Sequence, residues 1–168
     1  MKSLSGKSRV HATRKALLKW YGMNARALPW RGTSDPYAVW VSEIMLQQTQ
    51  VATVIPYYER FLRAFPTVEL LARAPFERVA ALWSGLGYYR RARRLHLAAQ
   101  KISTDFGGRF PITYSEARML PGVGHYTASA VLSIAYGKPF AVLDGNVARV
   151  VSRLYALNGN LQQPDFRA

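Results

Sequence analysis

Apolar positions recur with a helical period through most of the chain. Val51, Val54, Ile55, Tyr58, Leu62 and Phe65 fall at i, i+3, i+4, i+7, i+11 and i+14, one face of a helix. Pro56 sits inside this pattern, and its missing N–H predicts a helix that starts late or kinks there. Ala92, Leu95, Ala99, Ile102 and Phe106 mark a second helix, ended by Gly107 and Gly108. Val147, Val150, Val151 and Leu154 mark a third. Start signals agree. "DPYAVW" offers Asp35 as N-cap and Pro36 as first helical residue. "TVEL" after Pro66 and "APFERV" at Pro75 open short helices. Near the N-terminus, Val10, Leu17, Leu18, Trp20 and Tyr21 lie on a helix expected over about Val10 to Met23. No alternating strand pattern occurs, and Asp144-Gly145 opens a helical pattern instead of a hairpin. The predicted class is all-α, with many short helices joined by tight turns.

Composition changes this picture in two ways. Lys+Arg is 23 and Asp+Glu is 9, a formal net charge of +14 on 168 residues. Such an excess points to a polyanionic partner, nucleic acid ahead of a membrane surface. The absence of cysteine removes disulfides and thiolate-held metal from the reading. No apolar run is long enough to cross a bilayer, and "MKSLSGKSRVHATRK" is basic without an apolar stretch. Cytoplasm is therefore the expected compartment.

Chemistry concentrates in a few segments. "LPGVGHYTA", Leu120 to Ala128, reads as a tight turn feeding a helix. Gly122 and Gly124 let the backbone approach a ligand closely, and with Val123 they offer N–H groups at a helix's positive end. That arrangement suits one phosphate; an ordinary αα-hairpin with a glycine corner fits the pattern equally well. Glu43, in "VWVSEIMLQQT", is a rare acid on an apolar helix. It reads as a solvated glutamate or as a carboxyl whose pKa is raised by apolar surroundings. Asp144, in "VLDGNVARV", reads as an N-cap, a role compatible with holding a carboxylate ionised.

These segments resemble a known family. "LPGVGHYTA" is similar to the helix-hairpin-helix of a DNA base-excision glycosylase superfamily, and "VLDGNVARV" to its catalytic aspartate segment. "LPWRGTSDPYAVWVSEIMLQQTQVATVIPYYERF" and "LWSGLGYYRRARRLH" resemble the adenine DNA glycosylases of MutY type, from about Ala27 to Leu157. The resemblance implies a six-helix barrel over 28–142, with the helix-hairpin-helix at about 115–136. Residues 1–27 would form the N-terminal helix of an incomplete second, cluster domain, to which 143–168 return. It implies removal of adenine mispaired with 8-oxoguanine or guanine in double-stranded DNA by a monomer. Glu43 would be the general acid on the base. Asp144 would stabilise or attack an oxocarbenium-like sugar, the division of labour of sugar hydrolases. Asn146 would orient water or sugar.

The nucleotide must leave the duplex to react. The resemblance assigns Gln48, in the "QQT" segment of Gln47 to Thr49, as a polar wedge, with Thr49 beside the opposite purine. Leu86 and Tyr88 would meet the widowed base, and periodicity also allows them as core. Trp30 and Arg31 would line the adenine pocket. Arg90, Arg91, Arg93 and Arg94 form a basic run on a helix, none of them singled out. Tyr126 stands where lyase-competent relatives carry a lysine, which implies base removal without efficient strand cleavage. The family also carries a 4Fe–4S cluster on four cysteines and a C-terminal domain. Neither is in this sequence, which reads as a truncated product, an incomplete gene or a fragment, binds no cofactor of its own and offers no metal ligands. The competing readings are a non-catalytic DNA-binding remnant and a related glycosylase of different substrate, the latter opposed by Glu43 and "LQQT".

Overall fold

The computed structural model describes residues 6–157. All regular structure among them is α-helical: α1 Gly6–Asn24, α2 Pro36–Leu46, α3 Val51–Ala64, α4 Val68–Arg73, α5 Phe76–Trp83, α6 Tyr89–Asp105, α7 Tyr114–Arg118, α8 His125–Tyr136 and α9 Gly145–Tyr155. The expected segments 1–27 and 143–168 lie partly outside the described residues. No described helix is long and apolar enough to cross a membrane.

Short polar side chains set the helix starts. Asp35 accepts from the Tyr37 N–H at 3.0 Å, with Pro36 supplying the first helical residue of α2. Thr67 caps α4, Thr113 caps α7 and Asp144 caps α9 in the same way. The late start that Pro56 allowed for α3 does not occur. α3 begins at Val51 and runs through Pro56. The ring sits early in the helix, where losing one N–H removes a single bond, and burial of Val54, Tyr58 and Phe61 outweighs that loss.

α2 is the centre of the molecule. Tyr37, Ala38, Val39, Trp40, Val41, Ser42, Ile44 and Met45 are buried, leaving Glu43 as the one residue from 37 to 45 that keeps solvent access. α3, α6 and α8 pack around α2, while α4 and α5 cover α6 and α7 braces α8. Aromatic edge-to-face contacts fill the space between, as in Phe61 against Phe65 at 5.1 Å and against Trp83 at 6.1 Å. A helix buried on nearly every side cannot shift without moving its neighbours, so Glu43 inherits a fixed position.

α1 and α9 stand apart from this core. Val10, Leu17, Leu18, Trp20, Tyr21 and Met23 of α1 are exposed, as are Val147, Val150, Val151 and Leu154 of α9. The two helices meet through Arg9, whose guanidinium donates to the Leu154 carbonyl at 2.8 Å and lies over the Tyr155 ring. Apolar faces of this extent favour association.

Two substitutions separate these regions. Phe61→Ala in the fully buried core is expected to cost about 3–5 kcal/mol. Leu18→Gln, at an exposed position, is expected to change stability by less than about 0.5 kcal/mol and to lower binding of an apolar dye. Urea midpoints and dye fluorescence check both; a large loss for Leu18→Gln would show that the α1 face is packed.

Candidate active site

A cavity of about 780 Å³ opens where the C-terminal end of α2, the start of α6, the start of α8 and the start of α9 meet. Glu43, Gln47, Gln48, Tyr88, Tyr126, Asp144 and Asn146 line it, with Arg90, Arg91 and Arg94. Residues separated by a hundred positions thus share one space.

Glu43 enters from the central helix. Burial among apolar neighbours pushes its carboxyl pKa above the ordinary 4.5; the neighbouring Tyr126 hydroxyl opposes this, and the Asp144 charge adds to it. Tyr126, on the first turn of α8, has its own pKa pushed up by burial and by the charges of Glu43 and Asp144, so it stays a neutral donor. Asp144 arrives differently. Its Oδ1 accepts from the Val147 N–H at 2.7 Å as N-cap of α9, and its Oδ2 accepts from Asn146 Nδ2 at 3.3 Å. Arg149 donates to Asn146 Oδ1 at 3.2 Å, fixing the amide's orientation. One carboxyl is partly desolvated on the central helix, and the other is held by backbone and amide donors.

The rim of the cavity depends on Arg91. This residue is 8% exposed. Its Nη1 donates to the carbonyls of Ile44 at 3.0 Å, Met45 at 2.9 Å and Gln47. Its Nη2 donates to Thr49 Oγ1 at 3.0 Å and, at the long end of the range, to the Leu86 and Gly87 carbonyls. The rings of Trp83 and Tyr88 lie 5.5 and 5.3 Å from it. One side chain thus satisfies the end of α2 and ties it to the turn before α6. Both tied turns contain a non-glycine residue in the left-handed region, Gln48 at φ 58° and Tyr88 at φ 51°. Each costs of order 1–3 kcal/mol and persists only where its surroundings hold it. Both side chains are exposed at the cavity, Tyr88 by 60%. Gln47 adds a second tie, donating to Thr127 Oγ1 of α8 at 3.3 Å.

The hairpin lies beside the cavity. Gly122 has φ +78°, and Val123 donates its N–H to the Leu120 carbonyl at 3.1 Å, closing the turn. Gly124 caps α8 without a side chain, which leaves the first-turn N–H groups available. Several expected site residues stand elsewhere. Val123 and Leu86 are buried in the core, Val123 with its N–H used in the turn and Leu86 offering only its carbonyl to Arg91. Trp30 packs edge to face on Tyr58 at 5.3 Å, and Arg31 donates to the Arg26 carbonyl at 2.9 Å; neither lines the cavity. Thr49 serves as an acceptor for Arg91, outside the lining. Arg91 itself was legible in one respect. It sits with Leu95, Ala98 and Ile102 at i, i+4, i+7 and i+11, a cation on the buried stripe.

The family model for HhH-GPD superfamily base excision DNA repair proteins matches residues 41–166, which include Glu43, Arg91, the hairpin and Asp144. This chain belongs to the HhH-GPD superfamily. The adenine DNA glycosylase of Homo sapiens is 49% identical over 160 aligned positions, covering 90% of this chain and 29% of that protein. A thermostable thymine-DNA glycosylase structure superposes with a TM-score of 0.84 at 30% identity, over 92% of this chain and 74% of the other. A trapped endonuclease III–DNA covalent intermediate superposes with a TM-score of 0.74 at 25% identity, over 88% and 70%. The fold is therefore that of the helix-hairpin-helix glycosylases, and the chain spans under a third of its human relative's length. An iron–sulfur cluster requires thiolates that this sequence lacks, and among the described residues no group of three or more His, Asp or Glu could hold a metal ion. The residues present do not fit such a group.

Two outcomes follow. Arg91→Met leaves carbonyls of α2 and the Leu86–Gly87 turn without their donor and is expected to cost at least about 2 kcal/mol. Amide exchange should accelerate more at 47–50 and 86–88 than in α4, and Arg91→Lys should recover only part of the loss, because an ammonium cannot fork to both turns. Uniform exchange across the molecule would contradict the tie. Second, a raised pKa means that folding takes up a proton at Glu43, so its cost to stability grows as pH rises through and above the ordinary 4.5. Glu43→Gln is expected to be more stable than the parent at pH 7, with the advantage vanishing near pH 4. Equal stability at pH 7 would contradict the raised pKa.

Proposed function

We propose that this chain is the catalytic portion of an adenine DNA glycosylase, removing adenine mispaired with 8-oxoguanine or guanine from double-stranded DNA. The observation that carries the reading is the meeting of Glu43, Tyr126, Asp144 and Asn146 in one open cavity beside a glycine hairpin. The volume, about 780 Å³, suits a flipped nucleotide.

The residues divide the work. Glu43, whose protonated form burial favours, donates to a ring nitrogen of adenine as the glycosidic bond breaks, turning a poor leaving group into a neutral one. Tyr126 holds the Glu43 carboxyl in place and stabilises it once the proton has gone. The Asp144 carboxylate faces the positive charge that develops on the sugar, or attacks the anomeric carbon. Asn146 positions Asp144 and the water that completes hydrolysis. No amine stands at position 126, so the product is an abasic strand that stays intact. Gln48 and Tyr88 fill and flank the space the adenine leaves, Tyr88 stacking on bases for roughly 1–3 kcal/mol. We read residues 28–142 as the barrel domain, with α1 and α9 belonging to a second helical unit.

The test is a duplex carrying adenine opposite 8-oxoguanine. The chain is expected to produce a nick at that adenine only after alkali. Glu43→Gln is expected to lower the excision rate by at least roughly 10²–10⁴-fold while duplex binding persists. Tight binding with no alkali-labile product would favour a DNA-binding remnant, a reading to which the uncovered faces of α1 and α9 lend support. Near-normal excision by Glu43→Gln would remove Glu43 as the acid.

A further inference from the structure

The four arginines at the start of α6 have three fates. Arg91 is the buried tie. Arg93 turns to the opposite side, its guanidinium 5.8 Å from the Phe76 ring centre. Arg90 and Arg94, four residues apart, share one face, and both are exposed and line the cavity with Glu43 and Asp144. Neither has a hydrogen-bond or ion-pair partner among the described residues, where the one ion pair joins Lys101 to Asp105. Two like charges at this spacing destabilise a helix on their own. A bound anion removes that repulsion.

Arg94 also touches the hairpin. A Cβ built on Gly122 would lie 2.8 Å from the Arg94 Cβ, so the turn needs glycine in order to press against this arginine. The turn that leads into the uncapped start of α8 thus packs against Arg94, and Arg90 lies one helical turn from Arg94, toward Tyr88.

We propose that Arg90 and Arg94 form a phosphate track, gripping two successive phosphates of the DNA strand that leads from the hairpin to the cavity. Guanidinium forks match phosphate oxygens, and Cβ atoms about 5–6 Å apart on flexible stems reach neighbouring phosphates of one strand. The track holds the backbone on both sides of the extruded nucleotide and carries no base information. It rests on the reading of this chain as a DNA enzyme, and its test needs no catalysis.

Binding of an undamaged, fully matched duplex is measured across a salt series. Each lost phosphate contact is expected to reduce the slope of log K against log salt by about 0.9, so Arg90→Ala/Arg94→Ala should flatten it by about 1.8. Arg90→Lys/Arg94→Lys should keep the slope, and Arg73→Ala, on α4 outside the cavity, should leave it unchanged. Circular dichroism establishes that each variant is folded; if the double alanine variant is not, Arg90→Gln/Arg94→Gln takes its place. An unchanged slope in the neutral double variant, or an equal loss for Arg73→Ala, overturns the track. Failure of the parent chain to bind any duplex at low salt overturns the DNA reading itself.

Discussion

A single buried guanidinium holds the working face of this molecule together. Arg91 reaches from α6 under two turns, takes the carbonyls at the end of α2 with one nitrogen and those before Tyr88 with the other. Burying a cation is expensive and burial lowers its pKa; the cost is offset because both terminal nitrogens find oxygens, although Nε has none, and the rings of Trp83 and Tyr88 lie close by. In return, the carbonyls left over where α2 stops are satisfied without water. The left-handed residues Gln48 and Tyr88 are the visible consequence. They project from turns held by this guanidinium, and both side chains line the cavity.

The two carboxyls draw on different parts of the fold. Glu43 takes its character from α2, the helix with the most burial, where the lack of solvent favours the protonated form. Asp144 takes its character from the start of α9, where backbone and amide donors meet it. Tyr126 bridges the two environments because α8 packs along α2. The two carboxyls thereby belong to two elements whose packing does not compete. α9 is nonetheless weakly anchored. Its apolar residues face solvent, as do those of α1, while the core beneath the cavity is dense.

Much of this was legible in the sequence, for reasons that differ by level. The helices follow from the apolar period and from caps whose side chains bond their own backbone, which is local chemistry. The helix does not start late at Pro56 because the cost of the proline, one hydrogen bond, is smaller than the burial of Val54, Tyr58 and Phe61 around it. The acids stood out because acids are scarce here and because the surrounding motifs resemble a family. Leu86 and Val123 fell in the core because a motif position fixes a backbone and does not say which way a side chain turns. The arginine run was the hardest part. Adjacent residues on a helix point in different directions; the apolar period marks Arg91 as the inward one, but its partners, the stack of Arg93 and the open pair at Arg90 and Arg94 come only from three-dimensional packing.

The central claim is that the two tied turns and the cavity act as one device, which takes a nucleotide out of a duplex and sets it between Glu43 and Asp144. The direct measurement is fluorescence of 2-aminopurine placed opposite 8-oxoguanine in a duplex and titrated with the Glu43→Gln protein, which should bind without cleaving. The account predicts that fluorescence rises with saturation of binding, because the base leaves the stack, and that the rise is lost when Arg91 is replaced by methionine in a protein that still binds. Saturated binding with no change in fluorescence would contradict it.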